Sequence, residues 1–333
     1  MFTKIRVAVS RVCEMYCIYC PHGPLINMEN YDGDEQYCMT TEELVGILGV
    51  MQKYGLENVH ITGGEPLRRK DLVALIGRIA SLGMKVELNT NGLGLNKEKA
   101  QQIKAAGVDF LKISLDAPNR SSFLSFTGVD AFERVIEGIK ATLLVMPVRL
   151  NCVVMRSNKD SITPILKLCN EMGVQQIHLL DLTYYPCVGG RTFWEREFVH
   201  LTQEVRSVLE KEYGNLFEEM AVYGCRFYRM ETVPGGTVVV LKEAEPTMRI
   251  AECTTCDEYC HEGVFTLRMS AGGYLNFCPC NNSNGVNALE FYKEGKLGIA
   301  LERFAECFDR AKPTNSFGVF LDKNRLHFKG RES

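Results

Sequence analysis

Over the first 185 residues the apolar positions switch repeatedly between a spacing of two and a spacing of three to four, which predicts strands and helices in alternation. Lys4–Ser10 alternates as a strand. Thr40-x-x-Glu43 has the spacing of a capping box, and Leu44, Leu48, Val50 and Met51 continue at helical spacing up to Gly55. Further strands are predicted at Asn58–Thr62, Lys85–Thr90, Asp109–Asp116, Arg149–Arg156 and Gln175–Leu182. Between them lie predicted helices at Leu72–Leu82, at Asn96–Ala106, from an Asp130-x-x-Glu133 cap to about Leu144, and at Ser161–Met172. Gly83, Gly107 and Gly173 stop three of these helices.

Such alternation implies a parallel sheet, because right-handed crossovers carry each helix to the outer face. Eight units close a full barrel. Six predict an α/β fold in the form of an open, partial (βα)6 TIM-like barrel, with its working groups at the C-terminal strand ends. Residues 1–185 read as this core and 186–333 as a C-terminal extension. The extension carries a helix near Thr202–Tyr213, a short β-run at Thr237–Leu241 and helical pattern over about 290–311.

Composition narrows the class. With 333 residues, 24% charged and 46% hydrophobic, the chain is neither disordered nor fibrous. No apolar run approaches the roughly 20 residues a membrane span needs. Met1-Phe2-Thr3-Lys4 opens no secretory signal, so a cytoplasmic protein is expected. A net charge of −3 gives no footprint for nucleic acid or an anionic membrane. Fourteen cysteines, without a signal peptide, point to metal or redox chemistry rather than disulfides.

Three of them, Cys13, Cys17 and Cys20, fall in eight residues directly after the first strand. Thiols this close can converge on one cluster but cannot sensibly pair. Four thiolates saturate a [4Fe–4S] cluster, whereas three leave one iron open for chemistry. Zinc is the competing occupant, although zinc sites prefer paired CxxC arms with a fourth ligand nearby.

C-x3-C-x2-C with Tyr19 before the last cysteine resembles the signature of the radical S-adenosylmethionine (SAM) superfamily. Thr62-Gly63-Gly64-Glu65-Pro66 after the second strand, Asn89-Thr90-Asn91-Gly92 after the third, Ser114-Leu115-Asp116 after the fourth and Asn151–Met155 in the fifth resemble that superfamily in order. The resemblance implies that Cys13, Cys17 and Cys20 hold a [4Fe–4S] cluster whose open iron chelates SAM. Reductive cleavage then yields a 5′-deoxyadenosyl radical. It places Gly63, Gly64 and Glu65 near the SAM amine, Ser114 at its carboxylate or ribose, and Tyr19 at the adenine. Thr90, Asn91, Asn151 and Thr183 fall on the cofactor side as well. Paired glycines suit close backbone approach.

Within the superfamily, GGEPLRRKDL, NTNGLGL, RLNCVVMR and the distal Cys253-x-x-Cys256 followed by Cys278 are most similar to the GTP cyclase family of molybdenum-cofactor biosynthesis. That likeness implies a second [4Fe–4S] cluster on Cys253, Cys256 and Cys278, with an iron facing substrate. The chain departs from the family by adding Cys260 and Cys280. Either can fill the fourth iron and make the cluster an electron relay, or both can remain free thiols. Arg6, Arg149 and Arg268 stand at family substrate positions, Arg149 in place of lysine. His60 replaces an arginine there, Asn89 a threonine, Thr266 an arginine and Thr183 a methionine. Arg69, after GGEP, can meet a substrate anion or begin a solvated helix. A triphosphate needs several preorganised cations, so these losses argue for a substrate with fewer phosphates or none.

Elsewhere, Cys152 and Cys169 read as small core hydrophobes. Trp194 reads as core, and Asp181 as a possible inward group. His22 and His261 flank the cysteine clusters. The expected function is a radical SAM enzyme that cyclises, rearranges or oxidises a polar small molecule, of nucleotide, nucleoside or sugar type. It would be served by a reduced electron donor of flavodoxin or ferredoxin type. The alternatives are the GTP cyclase itself, a peptide-modifying maturase and a non-catalytic iron–sulfur protein.

Overall fold

The computed structural model describes residues 2–20, 38–183, 190–222, 225–245, 247–250, 266–278 and 285–314. The strands of the core are β1 (Lys4–Ala8), β2 (Asn58–Thr62), β3 (Lys85–Thr90), β4 (Val108–Ser114), β5 (Val148–Val153) and β6 (Gln176–Leu180). Helices α1 (Thr41–Gln52), α2 (Leu72–Ser81), α3 (Lys97–Ala105), α4 (Arg120–Thr127), α5 (Phe132–Leu143) and α6 (Ile162–Met172) lie between them. The capping box of α1 forms in full. Thr40 Oγ1 accepts from the Glu43 amide at 3.2 Å, and the Glu43 carboxylate accepts from the Thr40 amide at 3.0 Å.

Helix α4 was not anticipated. Its sequence is short and polar at the start, and Asn119 caps it by accepting from the Ser122 amide at 3.0 Å. The cap expected at Asp130 does not form. Helix α5 starts after Ala131 without a side-chain cap, because Arg120 Nε takes the Asp130 carboxylate at 2.7 Å.

The extension adds α7 (Gly190–Glu197), α8 (Arg206–Tyr213), β7 (Glu218–Val222), β8 (Cys225–Glu231), β9 (Val238–Glu245), β10 (Thr247–Arg249), β11 (Leu267–Met269), β12 (Tyr274–Asn276), β13 (Val286–Asn287), α9 (Ala288–Lys293), α10 (Leu297–Arg310) and β14 (Lys312–Thr314). Three expectations change here. The helix predicted from Thr202 splits into a π-helical turn at Leu201–Val205 and α8. The short β-run grows into the eight-residue β9, which pairs parallel to β6 and antiparallel to β8, with β7 antiparallel beyond β8. The pattern over 290–311 is two helices.

Among the described residues one sheet runs β13-β12-β11-β1-β2-β3-β4-β5-β6-β9-β8-β7. The core strands lie in chain order and parallel. β11 pairs parallel to β1 and β9 parallel to β6, so strands from the extension cover both edges of the core. The sheet also curls. In a flat sheet β1 and β9 would stand about 29 Å apart at six strand spacings. Yet the charge of Arg6 on β1 acts directly on Lys242 on β9.

Along each strand, alternate side chains take opposite faces. Ile5, Val59, Leu88, Leu111, Leu150 and Leu179 are fully buried in one apolar cluster with the inner faces of the helices, including Leu44, Leu75, Ile139 and Ile165. The opposite face is polar. A parallel strand covered on both sides normally reads as a continuous apolar run, so regular polar positions within it mark a face kept for ligands.

Candidate active site

The first cysteine loop leaves the C-terminal end of β1 and is fastened on two sides. Tyr16 and Ile18 amides donate to Thr127 and Phe126 carbonyls at 2.8 and 3.0 Å, tying the loop to the end of α4. On the other side, Gly64 and Glu65 amides donate to Ser10 and Val12 carbonyls at 2.9 and 2.7 Å. A Cβ on Gly64 would lie 2.4 Å from the Val12 carbonyl oxygen, and one on Gly63, whose φ is +141°, 2.6 Å from that of Ser10. The paired glycines therefore let the segment press against the cysteine loop itself.

Cys13 Sγ accepts from the Met15 amide at 3.4 Å and from Asn91 Nδ2 at 3.7 Å. Burial pushes the thiols of Cys13 and Cys17 up, and Cys17 also feels Asp116, Cys20 and Cys13. Buried thiols close enough to feel one another's charge resist ionising alone, whereas a coordinating metal deprotonates them outright. Among the described residues no three His, Cys, Asp or Glu side chains converge tightly enough to hold a single metal ion. A [4Fe–4S] cube instead takes its thiolates one per iron. Three clustered thiols with two N–H donors on one sulfur fit that group.

Two buried carboxylates brace this rim. Glu65 accepts from Thr90 Oγ1 at 2.6 Å and from the Asn91 and Leu67 amides at 2.7 and 2.9 Å, joining the ends of β2 and β3. Burial raises its carboxyl to about 7, against the pull of those donors. Asp116 accepts from the Tyr19 hydroxyl and from the Val153 amide at 2.7 Å, joining the loop to β4 and β5. Burial lifts it to about 6.

Below the rim, ladder partners share a face, and their register sets a polar row across the sheet: Asn276, Arg268, Arg6, His60 and Glu87 pair in succession. One step on, Asn89, Lys112 and Arg149 do the same. Glu87 accepts from Lys112 Nζ at 2.6 Å and has His60 Nε2 at 3.7 Å. His60 Nε2 is also 2.8 Å from Asn89 Oδ1. Burial disfavours the Glu87 carboxylate, but Lys112, by its charge and its hydrogen bond, more than offsets this and holds it well below the ordinary range. Burial and the nearby cations Lys112 and Arg6 keep His60 neutral.

The structure thus brings Arg6, His60, Asn89, Arg149 and Arg268 to one face, and Ser114 pairs with Asn151 nearer the rim. Arg69 stands apart. It binds Asp71 at 2.7 Å, the Val9 carbonyl at 3.3 Å and Thr41 at 3.2 Å, at a cleft bordered by Ser10 and Met39. Thr183 closes the segment after β6. Cys278 is half-buried just beyond β12, while Cys253, Cys256, Cys260, Cys280, His22 and His261 lie outside the described residues. Cys152 and Cys169 are fully buried core residues, and Trp194 packs on Phe198 and donates to the Leu182 carbonyl at 2.9 Å. Glu87, Lys112, His178 and Lys242 were not singled out from sequence. For Glu87, Lys112 and His178 the signal was a polar residue breaking an otherwise apolar strand; Lys242 had none, because the predicted β-run ended at Leu241.

A parallel α/β sheet with a three-cysteine loop at its C-terminal rim defines the class. A family model described as the radical SAM superfamily matches residues 7–169, and the chain belongs to that superfamily. It is 32% identical over 293 residues to the probable GTP 3′,8-cyclase of Saccharolobus solfataricus, covering 87% of this chain and 86% of that one. Its fold is similar to that of Streptococcus suis SuiB bound to S-adenosylmethionine, with a TM-score of 0.61 and 16% identity over 90% of this chain and 67% of that chain. It is also similar to native anSMEcpe with bound AdoMet, with a TM-score of 0.59 and 13% identity over 97% and 96% of the two chains. The protein is an enzyme, and its cofactors are a [4Fe–4S] cluster and SAM.

Proposed function

We propose that the enzyme transforms a polar small molecule, of nucleotide, nucleoside or sugar type, held on the polar inner face below the rim. The observation that carries this reading is the row of Arg268, Arg6, His60 and Glu87, continued by Asn89, Lys112 and Arg149, set into strands that are otherwise apolar. When bound, cluster and SAM supply a 5′-deoxyadenosyl radical able to take hydrogen from an unactivated carbon.

The chain's own residues do the placing. Cys13, Cys17 and Cys20 would hold the cluster. The loop amides and Glu65 fix the GGEP segment against it, so that Gly63 and Gly64 present backbone to the SAM amine. Tyr19, oriented by Asp116, lines the adenine side, and Thr90, Asn91, Ser114, Asn151 and Thr183 complete the cofactor wall. The row beneath fixes the substrate's polar groups and excludes water from the reacting carbon.

Cys278 and Cys253-x-x-Cys256 would hold a second cluster in the extension, with Cys260 or Cys280 available to close it. A reduced flavodoxin or ferredoxin would supply the electron in the cytoplasm. Among the described residues no helix is long and apolar enough to cross a membrane. A second reading, GTP 3′,8-cyclase, is favoured by the relative at 32% identity.

Anaerobic incubation of the iron-loaded chain with dithionite and SAM is expected to release 5′-deoxyadenosine. Failure to do so defeats the radical chemistry. Repeating it with GTP separates the two readings, since turnover of GTP to a cyclised product selects the cyclase.

A further inference from the structure

Two cysteines of the first loop receive opposite treatment from their surroundings. Two N–H donors, from Met15 and Asn91, point at Cys13 Sγ. Tyr19 lies inside the turn that the Cys20 amide closes on the Cys17 carbonyl at 2.9 Å, and its hydroxyl is near enough to Cys17 to favour the thiolate. Yet that hydroxyl donates to Asp116 Oδ2 instead.

Asp116 is held for this. The Val153 amide donates to Oδ1 at 2.7 Å, so both oxygens accept and neither carries a proton. Among the described residues no Lys, Arg or His pairs with it, and its charge is not cancelled on the spot. After burial itself, that charge is what most opposes the Cys17 thiolate, ahead of Cys20 and Cys13. The backbone beneath is clamped by the buried Asn158 side chain. It donates to the Asp116 carbonyl at 3.1 Å and the Val153 carbonyl at 2.9 Å, and accepts from the Met155 amide at 2.7 Å.

We infer that Asp116 is a positioning residue that lowers the reduction potential of the cluster, by holding the Tyr19 hydroxyl hydrogen off Cys17 Sγ. The inference rests on Cys13, Cys17 and Cys20 being the cluster's ligands, as in the reading above. A donor hydrogen on a ligand sulfur stabilises an added electron and raises the potential, whereas a nearby carboxylate lowers it. Asp116 acts in both ways toward a stronger reductant, which cleavage of a sulfonium requires. Asp116→Asn reverses both. The Val153 amide keeps the side-chain oxygen, which leaves Nδ2 facing Tyr19. A hydroxyl facing a donor turns its own hydrogen away, and Cys17 Sγ is the acceptor beside it.

The test is a redox titration of the anaerobically reconstituted full chain with titanium(III) citrate, at pH 8 and without SAM. It is read by electron paramagnetic resonance on the signal that Cys17→Ala abolishes. Asp116→Asn should favour the reduced cluster about tenfold, a midpoint rise of about 59 mV for one electron. In a Tyr19→Phe background the same substitution should favour it no more than about threefold, because no hydroxyl remains to turn. Tyr19→Phe alone should stay within about threefold of wild type, since the wild-type hydrogen already points away. An unmoved midpoint in Asp116→Asn overturns the inference. Equal shifts in the two backgrounds also overturn it, since they mark charge through space or a loosened loop. So does a change of about tenfold in Tyr19→Phe, which stands as a test even where Asp116→Asn loads no cluster. If Cys17→Ala abolishes no signal, the ligand reading fails and takes the inference with it. A signal that depends on Cys17 but ignores Asp116 defeats the inference alone.

Discussion

The rim and the interior of this barrel treat buried polarity in opposite ways. At the rim, Glu65 and Asp116 are buried carboxyls, each taken up by hydrogen bonds from two or three neighbouring segments. In the interior and among the described residues, Lys242 and Arg149 are cations on strands with no carboxylate in ion-pair contact, and His178 Nδ1 has no hydrogen-bond partner. Satisfied groups stiffen a frame, whereas unsatisfied ones keep their binding capacity for something else. The rim is built before any ligand arrives, whereas part of the interior lacks such a frame.

That contrast can be broken most severely at the rim. Gly64→Ala puts a methyl 2.4 Å from the Val12 carbonyl oxygen and must push the cysteine loop away. Release of 5′-deoxyadenosine should fall by about 100-fold or more, since displacement of about an ångström costs that much. Near-normal release would show that the loop is pliable.

The next largest effect is expected from Lys112, which Glu87 partners in the interior. Lys112→Met strands the Glu87 carboxylate and should cost about 3–5 kcal/mol in urea unfolding, with most recovered in the double variant Lys112→Met/Glu87→Leu. Because the folded Glu87 titrates below its ordinary value of 4.5, the wild-type pair contributes fully above that pH and is lost as the pH falls beneath it. An additive double variant would separate the two residues energetically.

Lys242 should behave in the reverse sense. Its folded value of about 7 lies below the ordinary 10.5, so the folded state pays for the charge below pH 7 and is relieved as the pH rises toward 10.5. The stabilisation by Lys242→Met, about 1–3 kcal/mol, should therefore be largest below pH 7 and fade above it. Lys4, Arg6, Lys112, Arg149, His178 and Glu87 share that interior and are unchanged in the comparison. A gain independent of pH would show that Lys242 reaches solvent. Smallest is Asn119→Ala, at the start of the helix whose far end fastens the cysteine loop, which removes the cap of α4 for about 1 kcal/mol. A thermal melt showing no loss would mean that loop contacts alone hold that helix.

Much of this organisation was legible beforehand. The period-two runs placed all six core strands, and Cys13, Cys17, Cys20 and Gly63–Glu65 fell where motif spacing put them, because both depend on neighbours close in sequence. Helix α4 escaped because its start, Arg120-Ser121-Ser122, is polar and its hydrophobic residues are few. The Asp130 cap failed because Arg120, ten residues earlier, competes for the carboxylate. Arg69 looked available next to GGEP, but Asp71, Thr41 and the Val9 carbonyl engage it. Glu87 and Lys112 gave a signal that went unused: in KVELNT and DFLKIS the polar residue interrupts a strand that should be apolar on both sides. Lys242 gave none, since its strand appeared to end at Leu241. Its place in the interior depends on β9 joining β6, a pairing between segments some sixty residues apart that no local pattern encodes.

The pairing of β9 with β6 and of β11 with β1 also governs how the chain is made. During synthesis the six core strands emerge with both flanks bare, and the flank of β1 is sealed only after Leu267–Met269 has left the ribosome. Open strand flanks recruit other chains, and such late, distant closure slows folding. A nascent or truncated product stopping near residue 185 is thus primed for self-association, and expression yield should improve when translation is slowed or cooled rather than when the distal third is trimmed away.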